Sequence, residues 1–410
     1  MIKSKMAKRI IIVTHAGGSP RHGPNMRWYF LGKALSLLDV EVEIVSSSYF
    51  HKYIDPPKIS KSYEVQDVDG LKYHWIRTPV YKARGLAQIL NQLSFVVGCW
   101  RYLGLLVKRA PDIVIASSPH PLTVFPARAL AARTGARFIY EVRDLWPELL
   151  IELAGVSRKH PYIQLLKLAE RYGVSHADLI ISVKPGDFEY FSRQYKSSRD
   201  VFLYVPNGAS DDVAQDAAPA AIEALREKYS FLVGYVGAIS AYYGLEELIK
   251  LAHSLRHRQD IGFVVIGSGD RQEYLRTEAK RLGISSFHLT GPVKKREVHA
   301  ILQLFDACYV GLDDLPLHKY GISCNKIYDY MQAGKPVIGS YTAGYDPVKA
   351  SGGGVVAARG EIEILSSAIL ELAENPEQGQ AMGLNGRKYF EQHHNHSMIA
   401  QRLKQSLFPQ

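Results

Sequence analysis

Residues 321–338 have the sequence GISCNKIYDYMQAGKPVI, which predicts both the local fold and a binding site. The pattern indicates a loop opened by Gly321, a short helix from about Asn325, a glycine break and a buried strand from Pro336. The free N–H groups and the positive dipole end of such a helix favour an anion in the preceding loop. Asp329, one turn further on, could accept hydrogen bonds from a ribose diol. The stretch therefore predicts a nucleotide-sugar pocket, and an ordinary loop, helix and strand with a surface acid is the alternative.

The size and composition of the chain predict a two-domain globular protein. Its 410 residues are enough for two domains of roughly 200 residues, and 47% are hydrophobic and 22% charged. Cys99, Cys308 and Cys324 share no close spacing, so neither a zinc site nor a disulfide framework is expected. The basic residues 1–9 lead directly into a strand that is too short for a signal-peptide core. We therefore expect a cytoplasmic protein in a reducing compartment.

The net charge of +10 requires an anionic partner or surface. Nucleic acid, anionic lipid and phosphorylated small molecules are the three classes that compete. The 25 tyrosines are scattered and no nucleic-acid module pattern is present, so nucleic acid is the weakest of the three.

Strand-like apolar runs alternate with helix-length amphipathic segments along the whole chain. This alternation is typical of parallel sheets covered by helices on both faces, and both halves separately predict a doubly wound α/β fold. A cleft between two such halves is the expected ligand site. The predicted strands lie near residues 10–14, 41–46, 71–77, 112–116, 137–142, 178–183 and 201–205 in the first half, and near 231–236, 262–266, 286–289, 307–311, 336–340 and 353–357 in the second.

The predicted domain boundaries follow the turn at residues 206–208. The Ala- and Asp-rich segment after this turn has no periodicity and contains Pro219, so it predicts a linker. The resulting division is an N-terminal domain at 1–208, a linker at 209–229, a C-terminal domain at 230–390, and a last helix at 391–410 that packs back on the N-terminal domain.

Glycines follow three predicted strands, as a phosphate-binding cleft requires. They lie in the loops at residues 15–27, 234–239 and 267–270. None has the spacing of a dinucleotide-binding fingerprint. A capped helix after a tight turn is the alternative interpretation of the third loop.

Three further motifs resemble one branch of the family 4 retaining glycosyltransferases, which have the GT-B fold. They are SPRHG at residues 19–23, PDIVIASSPHP at 111–121 and YEVRDLWPE at 140–148. That branch contains bacterial enzymes of O-antigen, capsule and exopolysaccharide assembly, including L-fucosamine transferases. In the family's donor signature two acids stand eight positions apart; Asp329 matches the second, and Gly321 replaces the first.

The resemblance implies that the C-terminal half binds the donor nucleotide. Asp329 would bind the ribose, and the loop at 321–325 would present backbone amides to the sugar and diphosphate. The donor-binding residues implied are Gly23, Gly237, Gly267, Gly321, Ile322, Ser323, Asn325, Lys326 and Asp329.

Many relatives neutralise the diphosphate with an arginine and a lysine after the first strand of the second half. Here Ala238 and Tyr243 stand at the corresponding positions. Because a departing diphosphate develops negative charge, another cation is needed. Lys326, in the first turn of the predicted helix, is the candidate, with Asn325 donating beside it. A surface lysine that points to water is the alternative.

The resemblance also implies catalytic and acceptor-side residues in the N-terminal half. Arg143 would face the reaction centre or the acceptor phosphate, and Asp144 would orient it or the acceptor hydroxyl; a structural Arg–Asp clamp is the alternative. His120, in a Pro-bracketed loop after a strand, is a further catalytic candidate, although such a histidine is often incidental. The acceptor-side residues implied are Arg21, His22 and Arg27.

The Asp-Val-Asp run at residues 67–69 is similar to the metal-binding acids of the other large glycosyltransferase fold. It directly precedes Gly70, which predicts a hairpin turn instead. No metal ion or other cofactor is expected.

The segment from Leu86 to Arg109 is apolar and long enough for a helix, but it contains Arg101 and is too short to span a bilayer. With Lys82 and Arg84, it predicts a helix that enters an anionic membrane surface with its apolar face down. A helix packed inside the N-terminal domain is the alternative.

The resulting hypothesis is a metal-independent glycosyltransferase, peripheral at the inner face of the plasma membrane. It would move a sugar from a nucleotide diphosphate, with UDP favoured, to a polyprenyl-pyrophosphate-linked glycan with retention. A sugar-nucleotide epimerase of the same fold is one alternative. A catalytically silent partner in a glycan assembly complex is the other, because the first acid, the arginine and the lysine of the family are replaced.

Overall fold

A computed structural model describes residues 7–82, 85–107, 109–209 and 216–409. It divides the chain into two compact units: the first ends at Pro206 and resumes at Ile399, and the second is Asn207–Met398. The sequence predicts boundaries at 208, 229 and 390 instead. Residues 216–229 of the predicted linker belong to the second unit, because Ile222 is buried in its core. Residues 210–215 lie outside the described part.

The described part of the first unit contains an eight-stranded sheet in the order β3-β4-β2-β1-β5-β6-β7-β8. All neighbouring strands are parallel except β3 and β4. The strands are β1 (Lys8–Thr14), β2 (Val40–Ser47), β3 (Tyr63–Val68), β4 (Leu71–Ile76), β5 (Ile113–Ser117), β6 (Arg137–Val142), β7 (Leu179–Ser182) and β8 (Phe202–Tyr204).

Helices cover this sheet. They are α1 (Arg27–Ser36), α2 (Leu86–Arg101), α3 (Leu103–Leu106), α4 (Val124–Thr134), α5 (Glu148–Ala154), α6 (Pro161–His176) and α7 (Asp187–Tyr195), with short 3-10 turns at Pro121–Thr123 and Arg199–Val201. The central strand β1 is fully buried from Ile10 to Ile12, as a strand covered on both faces must be.

One strand of the first unit does not appear among the predicted strands. β3 has the polar sequence YEVQDV and pairs only with β4, as the antiparallel edge of the sheet. An edge strand needs no apolar face on both sides, so its sequence lacks the signal that reveals the others. The hairpin turn predicted at residues 67–70 is confirmed: Asp69 and Gly70 have positive φ angles of 53° and 85°.

The second unit contains a six-stranded parallel sheet in the order β11-β10-β9-β12-β13-β14 within the described residues. The strands are β9 (Phe231–Val236), β10 (Ile261–Ile266), β11 (Phe287–Gly291), β12 (Ala307–Gly311), β13 (Val337–Ser340) and β14 (Gly354–Ala357). The strand order reverses between β9 and β12, which is the position where open α/β sheets bind ligands beyond the carboxyl ends of their strands.

The helices of the second unit lie on both sides of its sheet, with apolar cores on both faces. They are α8 (Ala220–Lys228), α9 (Leu245–Ser254), α10 (Gln272–Arg281), α11 (Val298–Gln303), α12 (Asn325–Gln332), α13 (Pro347–Ser351), α14 (Ile362–Glu374) and α15 (Pro376–His393), with 3-10 turns at Ala241–Tyr243, Lys295–Glu297 and Pro316–Tyr320. The last helix, α16 (His396–Leu407), starts in the second unit. From Ile399 onward its apolar residues pack into the core of the first. The predicted fold class, two doubly wound α/β domains, is confirmed.

Candidate active site

Two glycine loops of the second unit lie against each other at the carboxyl ends of β9 and β10. Gly237 N–H donates to the Ile266 carbonyl over 2.9 Å, and Ile239 N–H donates to the Ser268 carbonyl over 2.8 Å. A Cβ atom on Gly267 would lie 1.8 Å from the Gly237 carbonyl oxygen. Only glycine at position 267 allows this approach, and both glycines have positive φ angles. Two of the predicted donor-binding glycines are therefore brought together.

Lys326 extends from the first turn of α12 across Gly237. A Cβ atom on Gly237 would lie 2.1 Å from Lys326 Cε, so the lysine stem occupies the space that the glycine leaves. The Lys326 ammonium lies 3.2 Å from the centre of the Tyr243 ring and 5.3 Å from that of Tyr235. Tyr243, at the position where relatives carry a lysine, thus contacts the ammonium of a lysine from another element.

The direct contacts of the Lys326 ammonium within the described residues are with aromatic rings. Among the described residues, no hydrogen bond or carboxylate pairs with it, and its side chain is half-buried. Burial lowers the pKa of this ammonium below its ordinary value. A desolvated cation on the faces of two tyrosine rings is stabilised by their quadrupoles but not neutralised. The arrangement therefore offers a positive charge to an anion at the start of α12.

Asp329, the predicted ribose-binding acid, is paired with a residue that the sequence did not suggest. Lys295 Nζ lies 3.0 Å and 2.9 Å from the two Asp329 carboxylate oxygens. Lys295 follows β11 in the basic run KKR at residues 294–296, and that run was the available signal. Each carboxylate oxygen can accept more than one hydrogen bond, so Asp329 retains acceptor capacity beside Lys295.

A backbone hydrogen bond to a neighbouring segment holds part of the loop at 321–325. Gly321 has a φ angle of 109°, and the Ile322 N–H donates to the Tyr345 carbonyl over 3.1 Å. Ile322 is buried, so its amide is already used and does not face a ligand, contrary to the prediction. The Ser323 hydroxyl lies 3.3 Å from the Tyr328 hydroxyl, while Asn325 is exposed at the start of α12. Of the loop, Asn325 and the first-turn amides remain the candidates for ligand contact.

In the first unit, the structure gives Arg27 a buried partner. Its Nε donates to Glu141 Oε1 over 2.9 Å, and its guanidinium also donates to the Val205 carbonyl over 2.8 Å. Glu141 Oε2 accepts from Trp28 Nε1 and Ser117 Oγ, and both side chains of the ion pair are at most 3% exposed. Arg27 is therefore a structural clamp, which is at odds with its predicted acceptor-side role. No local sequence pattern indicates this pair, because its members lie 114 residues apart.

The other residues of the loop after β1 differ in exposure. His22 Nδ1 lies 2.7 Å from Ser19 Oγ, and its buried ring packs edge-on against Trp75. Gly23 has a φ angle of 113° beside the backbone of residue 54. The Arg21 side chain is 71% exposed. Arg21 is thus the predicted acceptor-side residue that a ligand can reach, while burial places His22 in the support of the loop.

The three N-terminal catalytic candidates occupy different environments. The Arg143 guanidinium lies 3.4 Å from Asn25 Oδ1, and burial lowers its pKa. Asp144 is exposed and makes no ion pair with Arg143 among the described residues, so the structural Arg–Asp clamp that was the alternative interpretation is not formed. His120 is completely buried, with its ring 4.8 Å from that of His15, and burial lowers its pKa. His120 is therefore out of contact with solvent, whereas the sequence predicts a histidine that faces a ligand.

Helix α2 buries two polar side chains beside Phe95 and Cys99 and exposes a row of apolar ones. Asn91 and Gln92 are 0% and 3% exposed, whereas Leu86, Leu90 and Val97 are 79%, 61% and 64% exposed. Asn91 is buried because it hydrogen-bonds His15 Nε2 and the Pro79 carbonyl. Among the described residues, no helix has both the length and the apolar character that a bilayer crossing requires. Arg84 and Lys108, which flank the predicted surface segment, lie outside the described residues.

Comparisons with protein-family models match both units. The family described as glycosyl transferases group 1 matches residues 220–389, and the glycosyl transferase 4-like domain matches residues 22–208. The first match contains Gly237, Gly267, Lys326 and Asp329, and the second contains Arg27 and Arg143. Together the two matches cover most of the chain.

Individual relatives agree with the family matches. The O-antigen chain mannosyltransferase C of Escherichia coli is 26% identical over 230 residues, which are 55% of this chain and 58% of that protein. The match thus spans little more than half the length of that relative. A sucrose-phosphate synthase from Thermosynechococcus elongatus superposes with a TM-score of 0.69 at 16% identity, covering 97% of this chain and 98% of that one. The Anabaena protein HepE, solved with UDP and glucose, has a TM-score of 0.66 at 15% identity, with 98% and 99% covered. At such identities the two structures indicate a shared fold.

Proposed function

This chain belongs to the family-4-like glycosyltransferases of the GT-B fold, and on that premise we propose that it transfers a sugar from a nucleotide diphosphate to a lipid-linked glycan in surface polysaccharide synthesis. UDP is the proposed carrier, a polyprenyl-pyrophosphate-linked glycan the acceptor, and the anomeric configuration is retained. The similarity to an O-antigen mannosyltransferase supports the pathway class, and the UDP in HepE supports the carrier. The L-fucosamine transferase branch remains a hypothesis.

The observation that carries the proposal is the Lys326 ammonium, which lies over two tyrosine rings without a carboxylate partner among the described residues. The ammonium of a solvent-facing lysine keeps its full hydration. The Lys326 ammonium has lost part of its hydration, and it lies beside a helix N-terminus whose positive dipole end repels it. A bound anion would neutralise the Lys326 ammonium and so remove the cost of its partial burial. The diphosphate of the donor supplies that anion.

The proposed chemistry uses residues from three loops of the second unit. The glycine loops at Gly237 and Gly267 allow close backbone approach, and the start of α12 directs amides toward the phosphates. As the bond from the sugar to the diphosphate breaks, negative charge grows on the leaving oxygen, and Lys326 stabilises it. Asp329 accepts from the ribose hydroxyls while it retains Lys295. We propose that this cation serves in place of a metal ion.

The first prediction is that Lys326→Met slows transfer about 100-fold or more, while affinity for the nucleoside uridine is almost unchanged. An interaction made with the diphosphate, and strongest as it departs, lowers kcat without weakening the contacts of the nucleoside. Steady-state transfer and slow donor hydrolysis are measured with UDP-sugars, beside calorimetric affinities for uridine and UDP. Lys388→Met, at an exposed position of α15, is the matched control.

If the Lys326 variant retains turnover within a factor of about three, the diphosphate charge is met elsewhere. If the wild-type protein neither transfers nor hydrolyses any nucleotide sugar, a silent partner becomes the better interpretation. Conversion of the free donor into an epimer would favour the epimerase. Full activity after removal of divalent metal with a chelator would agree with the metal-independent proposal.

The membrane part of the proposal depends on the exposed apolar side chains of α2. Its exposed Leu86, Leu90, Leu93, Val97 and Trp100 recur at spacings of four and three residues, which is one stripe of the helix. The exposed Arg101 and Lys82 flank this stripe. An apolar stripe flanked by cations, on a chain of net charge +10, is suited to an anionic lipid surface.

The second prediction is that anionic vesicles sediment the wild-type protein and that a Leu90→Ser/Val97→Ser variant sediments several-fold less. Each serine removes apolar area from the stripe without removing a cation. Leu153→Ser/Leu168→Ser is the control, because these leucines are also exposed but lie on α5 and α6. Added salt should weaken binding of the wild type. Equal sedimentation of all three proteins would contradict the assignment.

A further inference from the structure

A cavity in the first unit lies apart from the glycine loops. It has a volume of about 690 Å³, within the range of small-molecule sites. It opens where β2 and β4 end, since Ser48 follows β2 and Arg77 follows β4. The lining residues are Ser48, Tyr49, Pro56, Pro57, Lys58, Ile59, Ser60, Arg77, Thr78 and Val80.

The charge of this cavity is positive. Lys58 and Arg77 line it, and no acidic residue does. Arg77 donates from Nη2 to the Ile59 carbonyl over 2.6 Å and from Nε to the Lys61 carbonyl over 3.3 Å. These bonds fix the guanidinium, while its Nη1 and the Lys58 ammonium have no partner among the described residues. A fixed arginine with a free N–H edge, beside a lysine, is suited to a phosphate.

Apolar side chains form another part of the wall, beside the hydroxyl-bearing Ser48, Ser60 and Thr78. Pro56, Pro57, Ile59 and Val80 line the same space, and Val80 is 71% exposed. A free phosphate or a bare glycan would leave such walls in contact with water. An occupant that combines an anionic head with an apolar chain uses both parts of the cavity.

The cavity is also attached to the lipid-facing helix. The Asn91 amide of α2 donates to Thr78 Oγ1 over 3.1 Å, to the Tyr49 carbonyl over 3.3 Å and to the Pro79 carbonyl over 2.6 Å. Thr78 and Tyr49 are cavity walls, so one buried side chain joins the wall to the helix whose other face exposes leucines. The cavity walls are therefore held against the buried face of the helix that exposes the proposed membrane surface on its other side.

We propose that this cavity binds the phosphate-bearing end of a polyisoprenoid-linked acceptor, with Lys58 and Arg77 on the phosphate and the proline and valine walls on the first apolar units of the chain. This inference rests on the proposed function, since it specifies where the lipid-linked acceptor is held. A glycerophospholipid headgroup shares the phosphate chemistry, and the test distinguishes the two.

The experiment compares the full-length protein on two kinds of vesicle. Phosphatidylcholine vesicles contain either a polyprenyl diphosphate or phosphatidylglycerol, matched for total surface charge. We expect the half-saturating lipid concentration to be at least about tenfold lower with the polyprenyl diphosphate. Lys58→Ala should remove most of that difference and leave the fold intact, because the exposed Lys58 ammonium has no partner among the described residues. Lys61→Ala, an exposed lysine of the same loop that does not line the cavity, should behave as the wild type.

Two outcomes overturn the proposal: equal binding to both vesicles, which assigns the surface to general headgroups, and an unchanged preference in the Lys58 variant. Arg77→Gln is the second variant, with its fold checked by circular dichroism, and should also lower the preference. Donor hydrolysis without a lipid acceptor is measured in parallel. A wild-type protein that hydrolyses the donor but shows no preference for the polyprenyl diphosphate contradicts the cavity alone, whereas absent hydrolysis in the wild type contradicts the proposed function.

Discussion

Arg27 and Lys326 are both cations in the first turn of a helix, but they have opposite surroundings. Arg27 begins α1 and meets the Glu141 carboxylate at 2.9 Å, with backbone carbonyls around the rest of its guanidinium. Lys326 is the second residue of α12 and meets two aromatic rings. In both places the helix dipole opposes the positive charge.

The difference separates a structural cation from a functional one. A buried charge whose partner is within the fold contributes to stability, because removal of either member leaves the other uncompensated. A partly buried charge without such a partner contributes little to stability. Its position is better explained by the ligand that it binds. Sequence alone assigned both residues to ligand binding, and only the partner distinguishes them.

The comparison predicts a large stability loss for Arg27→Met. Glu141 would remain buried without its cation, so the free energy of unfolding should fall by about 3–5 kcal/mol. All four tryptophans, Trp28, Trp75, Trp100 and Trp146, belong to the first unit, so tryptophan fluorescence in a denaturant titration reports this unit. Arg21→Met, at an exposed position, should change the value by less than about 0.5 kcal/mol. A fluorescence transition of Arg27→Met that coincides with the wild type would remove the distinction.

A second buried carboxylate extends the comparison. Glu170 of α6 accepts hydrogen bonds from the Tyr190 and Tyr195 hydroxyls, but no cation pairs with it among the described residues, and burial raises its pKa to about 8. Between its ordinary pKa and this value, the unfolded chain releases the proton and the folded chain keeps it. Stability should therefore fall as pH rises from about 5 to 8, by roughly 1.4 kcal/mol per pH unit from this group.

Glu170→Gln should make the pH profile of the first unit flatter over that window. The neutral amide carries no proton to release, so up to about 4 kcal/mol of pH-dependent loss disappears. Denaturant titrations at pH 5, 7 and 8.5, followed by tryptophan fluorescence, measure the difference. Glu189→Gln, which changes an exposed acid of α7, is the control. Parallel profiles for the wild type and Glu170→Gln would show that this carboxyl group is not held neutral.

The smallest effect is expected at Asp329, where an internal cation and a ligand share one acid. Asp329→Ala should weaken UDP binding by about 1–3 kcal/mol, the loss of hydrogen bonds from a diol to a carboxylate. Asp329→Glu should rescue part of the affinity, and Glu363→Ala, an exposed acid of α14, should leave it unchanged. Calorimetry on the folded variants gives the values. An unchanged affinity would make the pair with Lys295 purely structural.

The fold was largely predictable because its strands are buried and apolar, and the polar edge strand β3 was missed for the opposite reason. The site was predictable where neighbours in sequence form it: Lys326 and Asp329 are on one helix that follows a glycine loop. The pair of Arg27 with Glu141 joins distant segments and left no local signal, and the basic run at 294–296 marked Lys295 as a cation but did not indicate Asp329 as its partner. The orientation of α2 was also hidden, since its buried face carries amides that only the tertiary contacts of Asn91 explain.

The path of Lys326 over Gly237 also constrains how such a site can evolve. The stem of Lys326 fills the space above this glycine, and its ammonium lies on the ring of Tyr243. A lysine at position 243 would bring a second ammonium into the same space, and the two like charges would repel. It would also remove the ring on which the Lys326 ammonium lies, so the two ammonium groups would depend on a bound diphosphate to offset their repulsion. Exchange of one arrangement for the other therefore links substitutions at positions 243 and 326.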